Sequence, residues 1–318
     1  MKKLLTAVFT IFIVLSLVAC GSQSEAVSKK DTKSDSGTES IKIGYSINTL
    51  NNPFFVEVKK AAEAAAKEAG MSISVVNANN DLATQMNGIE DLIQQKVDVI
   101  IIDAVDSKGT VPAVISANEA GIPVITTGRK VEGGEIQTHL GYDEVNNGVT
   151  AGEYLAKQIK EKGKVIELQG TTGTDVARDR SKGFQEAMGK FSDIEIVASQ
   201  SADFDRAKAL AVMENILQAN PDVVGLYAAN DEMALGALQA IKAANKDIVI
   251  VSNDGTEDAL QAVQSKEIAG TMAISPSDYG KKAIEIASSV AKEESQPEFI
   301  ELPANFVSSE NVSEALKK

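Results

Sequence analysis

The sequence predicts an α/β protein whose parallel sheets are divided between two Rossmann-like lobes. Three observations carry this. From residue 41 onward, short apolar runs alternate strictly with segments of helical period. Some of the runs, such as 97–102, are almost wholly apolar, as in parallel strands covered on both faces. About eleven such strands exceed one comfortable sheet.

The elements follow in order. Residues 41–47 read as a strand. Asn52 and Pro53 then open a helix as N-cap and first helical residue. Phe55, Val58, Ala62, Ala65 and Ala69 follow at helical spacing, and Gly70 closes the segment. Residues 73–76 form the next strand, and Leu82, Met86, Ile89 and Ile93 mark the next helix face. The buried strand 97–102, a helix over 111–120 and a strand over 122–126 complete this half. Residues 136–140 are strand-like and hold His139, which is expected at the surface or on an edge strand. After Asp143 the alternation resumes. Helices are expected over about 145–160, 175–190, 205–219, 231–244 and 257–264, with strands over 165–168, 194–198, 223–227, 248–251 and 268–273. Residues 97–104 and 221–228 share a pattern of buried strand followed by a polar loop, a faint echo between the halves.

Counting excludes several chemistries. The 318 residues contain one cysteine, Cys20, and one histidine, His139. No disulfide can form within the chain, no Cys/His metal site can be assembled, and His-dependent nucleophilic catalysis would rest on His139 alone. No catalytic residue, metal or cofactor is assigned, and the protein is not read as an enzyme. The glycine-containing stretch 170–174 lacks both the P-loop ending and GxGxxG spacing. A net charge of -14 argues against nucleic acid as a partner.

The N-terminus reads as an address. Lys2 and Lys3 precede an apolar run over 4–19, short for a spanning helix and closed by small residues. The run ends Leu17-Val18-Ala19-Cys20-Gly21, which resembles a bacterial lipobox, in which the cysteine is acylated and the chain is cut before it. Residues 1–19 are therefore expected to be a lipoprotein signal peptide. Residues 20–40 are expected to be the lipidated Cys20 and a flexible tether, since 22–40 hold almost no apolar side chains. The expected location is the outer face of the cytoplasmic membrane, anchored by lipid and without a spanning helix, and a tether of this kind suits a Gram-positive cell.

In open parallel sheets, ligands bind beyond the carboxyl ends of the strands. The residues there are Asn51 to Phe55, Asp103, Arg129, Arg178 to Arg180, Asp203 to Asp205, Asn230 with Asp231, and Asn253 with Asp254. Carboxylates, amides, guanidinium groups and phenyl rings from both halves suit a sugar, whose C–H faces pack on rings and whose hydroxyls both donate and accept. Individually, Asn52 also fits a plain helix cap, one of Phe54 and Phe55 fits the core, and one of Arg178 and Arg180 fits a solvated helix face.

These residues carry a resemblance. The stretches 49–55, 165–170, 202–206 and 230–238 resemble those of the ribose-binding proteins of ABC importers, in the wider type I periplasmic binding protein family that shares a core with LacI-type repressors. The resemblance runs from about Ile41 to the C-terminus. It implies a lobe of 41–142 plus 275–303 and a lobe of 143–274 plus 304–318, joined by a three-segment hinge. It places ligand contacts at Asn52, Phe54, Phe55, Asp103, Arg129, Arg180, Phe204, Asn230 and Asp254. It implies a monomeric binding protein that closes on a monosaccharide and delivers it to a permease with a cytoplasmic ATPase. The same fold also serves sensors that present a sugar, or an autoinducer-2-like furanose, to a receptor. A repressor role is excluded by the export signal and by the absence of a helix-turn-helix ahead of Ile41.

Four positions depart from the ribose pattern. Asp103 replaces an Asn, Gly128 an Asp, Asn253 a Phe and Ile274 a Gln. A carboxylate is thus lost at one place and gained at another, and the lost side chains at 128 and 253 are expected to widen the cleft. A different pentose, a ketose, a furanose-form hexose or a polyol fits as well as ribose.

Overall fold

The computed structural model describes residues 40–317. Cys20, and the leader and tether expected ahead of Ser40, lie outside these residues.

The chain opens with β1 (Lys42–Ile47), α1 (Pro53–Glu68), β2 (Ser72–Asn77), α2 (Leu82–Gln94), β3 (Val99–Ile102), α3 (Val111–Glu119), β4 (Val124–Thr127) and β5 (Thr138–Gly141). It continues with α4 (Glu144–Gln158), β6 (Gly163–Gln169), α5 (Asp175–Met188), β7 (Ile194–Ser201), α6 (Arg206–Ala219), β8 (Val223–Ala228), α7 (Asp231–Ala243), β9 (Val249–Asp254), α8 (Glu257–Gln264) and β10 (Gly270–Ala273). The last elements are α9 (Pro276–Ala291), β11 (Phe299–Glu301), β12 (Asn305–Ser308) and α10 (Val312–Ala315).

The strands form two six-stranded sheets, ordered β11-β5-β4-β3-β1-β2 and β12-β10-β9-β8-β6-β7. The second order is the first with each of β1–β5 replaced by the strand five places later, and the sequence echo lies in β3 and β8, which hold the same place. Pairing is parallel throughout the first sheet. In the second it is parallel except where β12 runs against β10. The α/β architecture with two parallel lobes read from the sequence is the one observed.

The unbroken apolar run in β3 has a direct cause. Val99 and Ile101 pack into a cluster with α1 and α9, while Ile100 and Ile102 pack on the other face with α2 and α3. A strand buried on both faces has no place for a polar side chain. In the second sheet the ring of Phe184 on α5 stacks on Tyr227 of β8, with centroids 4.5 Å apart. Most helices start at a side-chain cap: Asn52, Asp81, Asp143, Thr174, Asp205, Asn230 and Ser275 each accept a backbone N–H from their first turn.

The chain passes from one sheet to the other between β5 and α4, between β10 and α9, and between β11 and β12. The helix α9, opened by Ser275 and Pro276, packs on α1, so the chain has returned to the first sheet by then. No element is assigned to α9 from the sequence, although Tyr279, Ala283, Ile286 and Val290 recur there at helical spacing, and the short β11 and β12 do not stand out in the periodicity. The three residues of β11 are exposed or half-buried and offer no apolar run.

His139 corrects an expectation. It is neither at the surface nor on an edge: β5 lies between β4 and β11, and the side chain is buried. Its Nδ1 lies 2.9 Å from Thr126 Oγ1 and its ring stacks on Phe299 of β11. Burial, assisted by Lys130, lowers its pKa to about 3, which holds the ring neutral.

Candidate functional site

The carboxyl ends of strands from both sheets face one cavity of about 50 Å³. All nine contact residues named from the sequence line it: Asn52, Phe54, Phe55, Asp103, Arg129, Arg180, Phe204, Asn230 and Asp254.

Local backbone geometry aims each group. Asn52 and Asn230 do cap their helices, accepting from the N–H of Phe54 and Met233 at 2.9 and 3.0 Å, and they line the cavity as well. Cap and site roles coincide because a helix N-terminus that follows a strand end points into the cleft. Phe54 is buried against Tyr279 and stands edge-on to Phe55, with centroids 5.3 Å apart. Phe204 holds a left-handed φ of 58°, uncommon for a bulky residue. Asp254, at the end of β9, has a φ of 117°. A non-glycine residue held there is strained, and such strain collects at ligand sites.

Arg129 follows β4 and is buried. Its guanidinium carbon lies 6.0 Å from the ring centroid of Phe55 on its own side and 5.1 Å from that of Phe204 on the other. The fork is thus held between two rings contributed by the two sheets. Its Nη1 is buried and has no hydrogen-bond partner among the described residues. Burial lowers its pKa, with Asp103 and Asp175 opposing, but an arginine remains charged.

Asp103 follows β3 and is fully buried. It accepts from Asn48 Nδ2 at 2.9 Å and from the Tyr279 hydroxyl at 3.2 Å. Gln85 fixes its loop, donating to the Asp103 carbonyl at 2.8 Å and accepting the Val105 N–H at 2.8 Å. Burial raises the Asp103 carboxyl to about 7, against the pull of Arg129.

Arg180 is held differently. Its Nε and Nη2 fork onto Glu144 at 2.7 and 3.0 Å, while Nη1 donates to the Ala229 carbonyl at 2.6 Å and to Asp254 Oδ1 at 3.2 Å. Burial alone would lower its pKa, but Glu144 and Asp254 raise it. Burial raises Asp254 to about 8 despite Arg180. Most of the Arg180 donors are therefore engaged by the protein, whereas Arg129 offers a bare edge to the cavity. Arg178, its neighbour in sequence, is the solvated one, paired with Glu132.

Tyr142, Glu144, Val176 and Tyr279 also line the cavity and were not among the residues named from the sequence. Tyr142 and Ile274 stand at two of the passages between sheets, and Glu144 opens α4 immediately after the first. Position at a lobe crossing is the signal that would have found Tyr142 and Glu144 as contacts; Ile274 is one of the four departures from the ribose pattern named above. Tyr279 opens the buried face of α9, whose helical repeat is present in the sequence but is assigned no element there. The Tyr142 ring stacks on that of Tyr279 with centroids 6.2 Å apart, and its buried hydroxyl has no hydrogen-bond partner among the described residues.

The widening expected at Gly128 is not observed. An added Cβ at Gly128 would stand 2.6 Å from the Tyr279 hydroxyl and 2.9 Å from Asp103 Oδ2, so these groups already fill that space. Asn253 turns away from the cavity and donates to the Tyr227 hydroxyl at 2.9 Å.

Residues 43–295 match the profile of the periplasmic binding protein domain. This chain belongs to the periplasmic binding protein family. The binding protein is 40% identical over 291 residues to the ribose import binding protein of Bacillus subtilis, covering 91% of this chain and 93% of that one. It is similar in structure to an ABC transporter solute-binding protein of Mycobacterium smegmatis with bound glycerol, with a TM-score of 0.84 and 37% identity over 86% of this chain and 96% of the other. A second Mycobacterium smegmatis structure, in complex with β-D-fucofuranose, gives a TM-score of 0.84 and 33% identity over 87% of this chain and 94% of the other.

Proposed function

We propose that this protein is the extracytoplasmic binding component of an ABC importer, and that it closes two lobes on a monosaccharide or small polyol. The lobes are 41–142 plus 275–303 and 143–274 plus 304–318, hinged where the chain crosses between the sheets. The observation that carries this reading is the Arg129 guanidinium, held between Phe55 and Phe204 with one buried edge unpartnered. The rings suit the C–H faces of a sugar, and the bare N–H groups suit its hydroxyl oxygens. The cavity carries two arginines against Glu144 and two carboxyls of raised pKa. That near balance favours a neutral guest over an anion. No bond of the ligand is broken; binding favours the closed form, which then docks on the permease. Acylation of Cys20 anchors the protein to the outer face of the membrane.

Calorimetry with D-ribose, D-allose, D-fructose, myo-inositol and glycerol tests the reading. At least one should bind in the micromolar range or tighter. Arg129→Ala and Asp254→Ala should each weaken that binding by about 2 kcal/mol, as truncations in a desolvated cleft. A protein that binds none of the panel while holding an amino acid or peptide tightly overturns it. Incorporation of labelled palmitate that survives Cys20→Ser overturns the anchor.

A further inference from the structure

Beside the cavity, a second set of contacts joins the sheets without lining it. It connects the loops after β3 and β4 to the start of α5. The carboxylate of Asp175, the first residue of α5, accepts from the Lys130 backbone N–H at 3.1 Å and lies 3.4 Å from Ser107 Oγ. The Asp175 backbone N–H donates back to Ser107 Oγ at 3.0 Å, and the Ser107 N–H donates to the Gly173 carbonyl at 3.2 Å. Ser107 and Asp175 are both buried. Gly173 has a φ of 101°, and a Cβ there would meet the Asp106 carboxylate at 2.1 Å. The backbone conformation at Gly173 is one that residues with a side chain rarely adopt.

The placement has a thermodynamic consequence. These hydrogen bonds can exist only while the lobes are together, and Ser107, Lys130, Gly173 and Asp175 do not line the cavity. A contact made only in the closed form raises the closed fraction, and apparent affinity scales with that fraction. Lys130 also follows Arg129 directly, so the contact that fixes its backbone holds the ligand-facing guanidinium in place.

We propose that Ser107 and Asp175 form a closure latch: positioning residues that hold the lobes together, and so set how slowly a bound molecule leaves, without touching it. The proposal rests on the reading of the lobes as a ligand trap, and its test separates the two.

The full chain carries spin labels at two exposed positions, Glu119→Cys on α3 and Glu214→Cys on α6, in a Cys20→Ser background. Distances between them are measured by double electron–electron resonance with no ligand and then with each sugar of the panel above. The ligand-free protein should populate a closed form. Asp175→Ala and Ser107→Ala should each shift its closed-to-open ratio about tenfold toward open. Asp175→Asn, which keeps the acceptor oxygen, should shift it about threefold or less. For a member of the panel that binds, release of the radiolabelled molecule should be faster in the alanine variants, with association unchanged. Ligand-free distances identical in all variants overturn the latch, as does a wild type that is wholly open. If Asp175→Ala does not fold, Ser107→Ala and Asp175→Asn carry the same test. Lobes that respond to Asp175→Ala but to no sugar leave the latch standing and overturn the sugar-import reading.

Discussion

The hydroxyl of Tyr279 occupies the space that a side chain on residue 128 would need, 2.6 Å from the point where its β-carbon would stand. Gly128 also holds a left-handed φ of 61°. The glycine and the tyrosine are therefore one structural choice. Together they place the carboxylate of this corner at Asp103, where Tyr279 and Asn48 donate to it.

Gly128→Asp should lower stability by about 2 kcal/mol or more, from backbone strain and from the clash. Combining it with Tyr279→Leu should recover part of the loss, since the contact with the hydroxyl is gone while the backbone strain and the close approach to Asp103 Oδ2 remain. Urea unfolding of the wild type, both single variants and the double variant reads the coupling. It should be at least about 1 kcal/mol; additive effects would mean that the two positions do not compete for space.

A second prediction concerns the Arg180–Glu144 fork, in which both side chains are under 10% exposed. Truncating one partner leaves the other charge buried, so Glu144→Ala should cost about 3–5 kcal/mol of unfolding free energy. Glu144→Leu with Arg180→Met removes both charges, and stability should return to within about 1–2 kcal/mol of wild type. Ligand binding should not return with it, because the double variant removes the donor that holds Asp254. A double variant that binds as the wild type does would reduce the fork to a purely structural pair.

The fold was legible because its central strands are buried on both faces. Runs such as Val99–Ile102 carry no polar interruption, and caps such as Asn52 and Asn230 punctuate the helices that follow. The site was legible for a related reason: a parallel sheet delivers the residue after each strand to one edge, so Asp103, Arg129 and Asp254 could be named from position. Residues contributed by other means were not. Tyr279 reaches the cavity from α9, a helix returning from the other sheet, and Tyr142 enters from a crossing segment. His139 was misplaced because β11, the strand that covers it, has three residues and no apolar pattern. The space at Gly128 was misjudged because its occupant lies 151 positions away in sequence.

The buried carboxyl of Asp103 should make the ligand-free protein less stable as pH rises. Its pKa is about 7 in the fold against an ordinary 3.8, so between these limits the native state binds a proton that the unfolded chain has released. The unfolded state then binds fewer protons, and unfolding free energy falls with pH. The contribution is greatest below about pH 4 and is lost by about pH 7. Asp254 acts in the same direction and extends the decline toward pH 8. Urea midpoints at pH 5 and pH 8 should differ in the wild type, and Asp103→Asn should remove part of that difference, on the order of a few kcal/mol. A decline of equal size in the variant would mean that Asp103 is not its source.

His139 should produce the opposite limb. Its pKa is about 3 in the fold against 6.5, because burial between β4 and β11 disfavours the imidazolium. Between these values the unfolded chain binds a proton that the native state refuses, so stability falls as pH falls from 6.5 toward 3. Above 6.5 the residue contributes its full stability. His139→Gln keeps a polar partner near Thr126 but cannot take up a proton, so its stability should fall less on acidification than that of the wild type. The difference should grow below pH 6.5 to on the order of a few kcal/mol and be absent at pH 8. Thermal unfolding of both proteins from pH 8 to pH 4 tests this. Parallel curves would require that the imidazole reach water in the native state, which the stacked Phe299 ring and the Thr126 contact oppose.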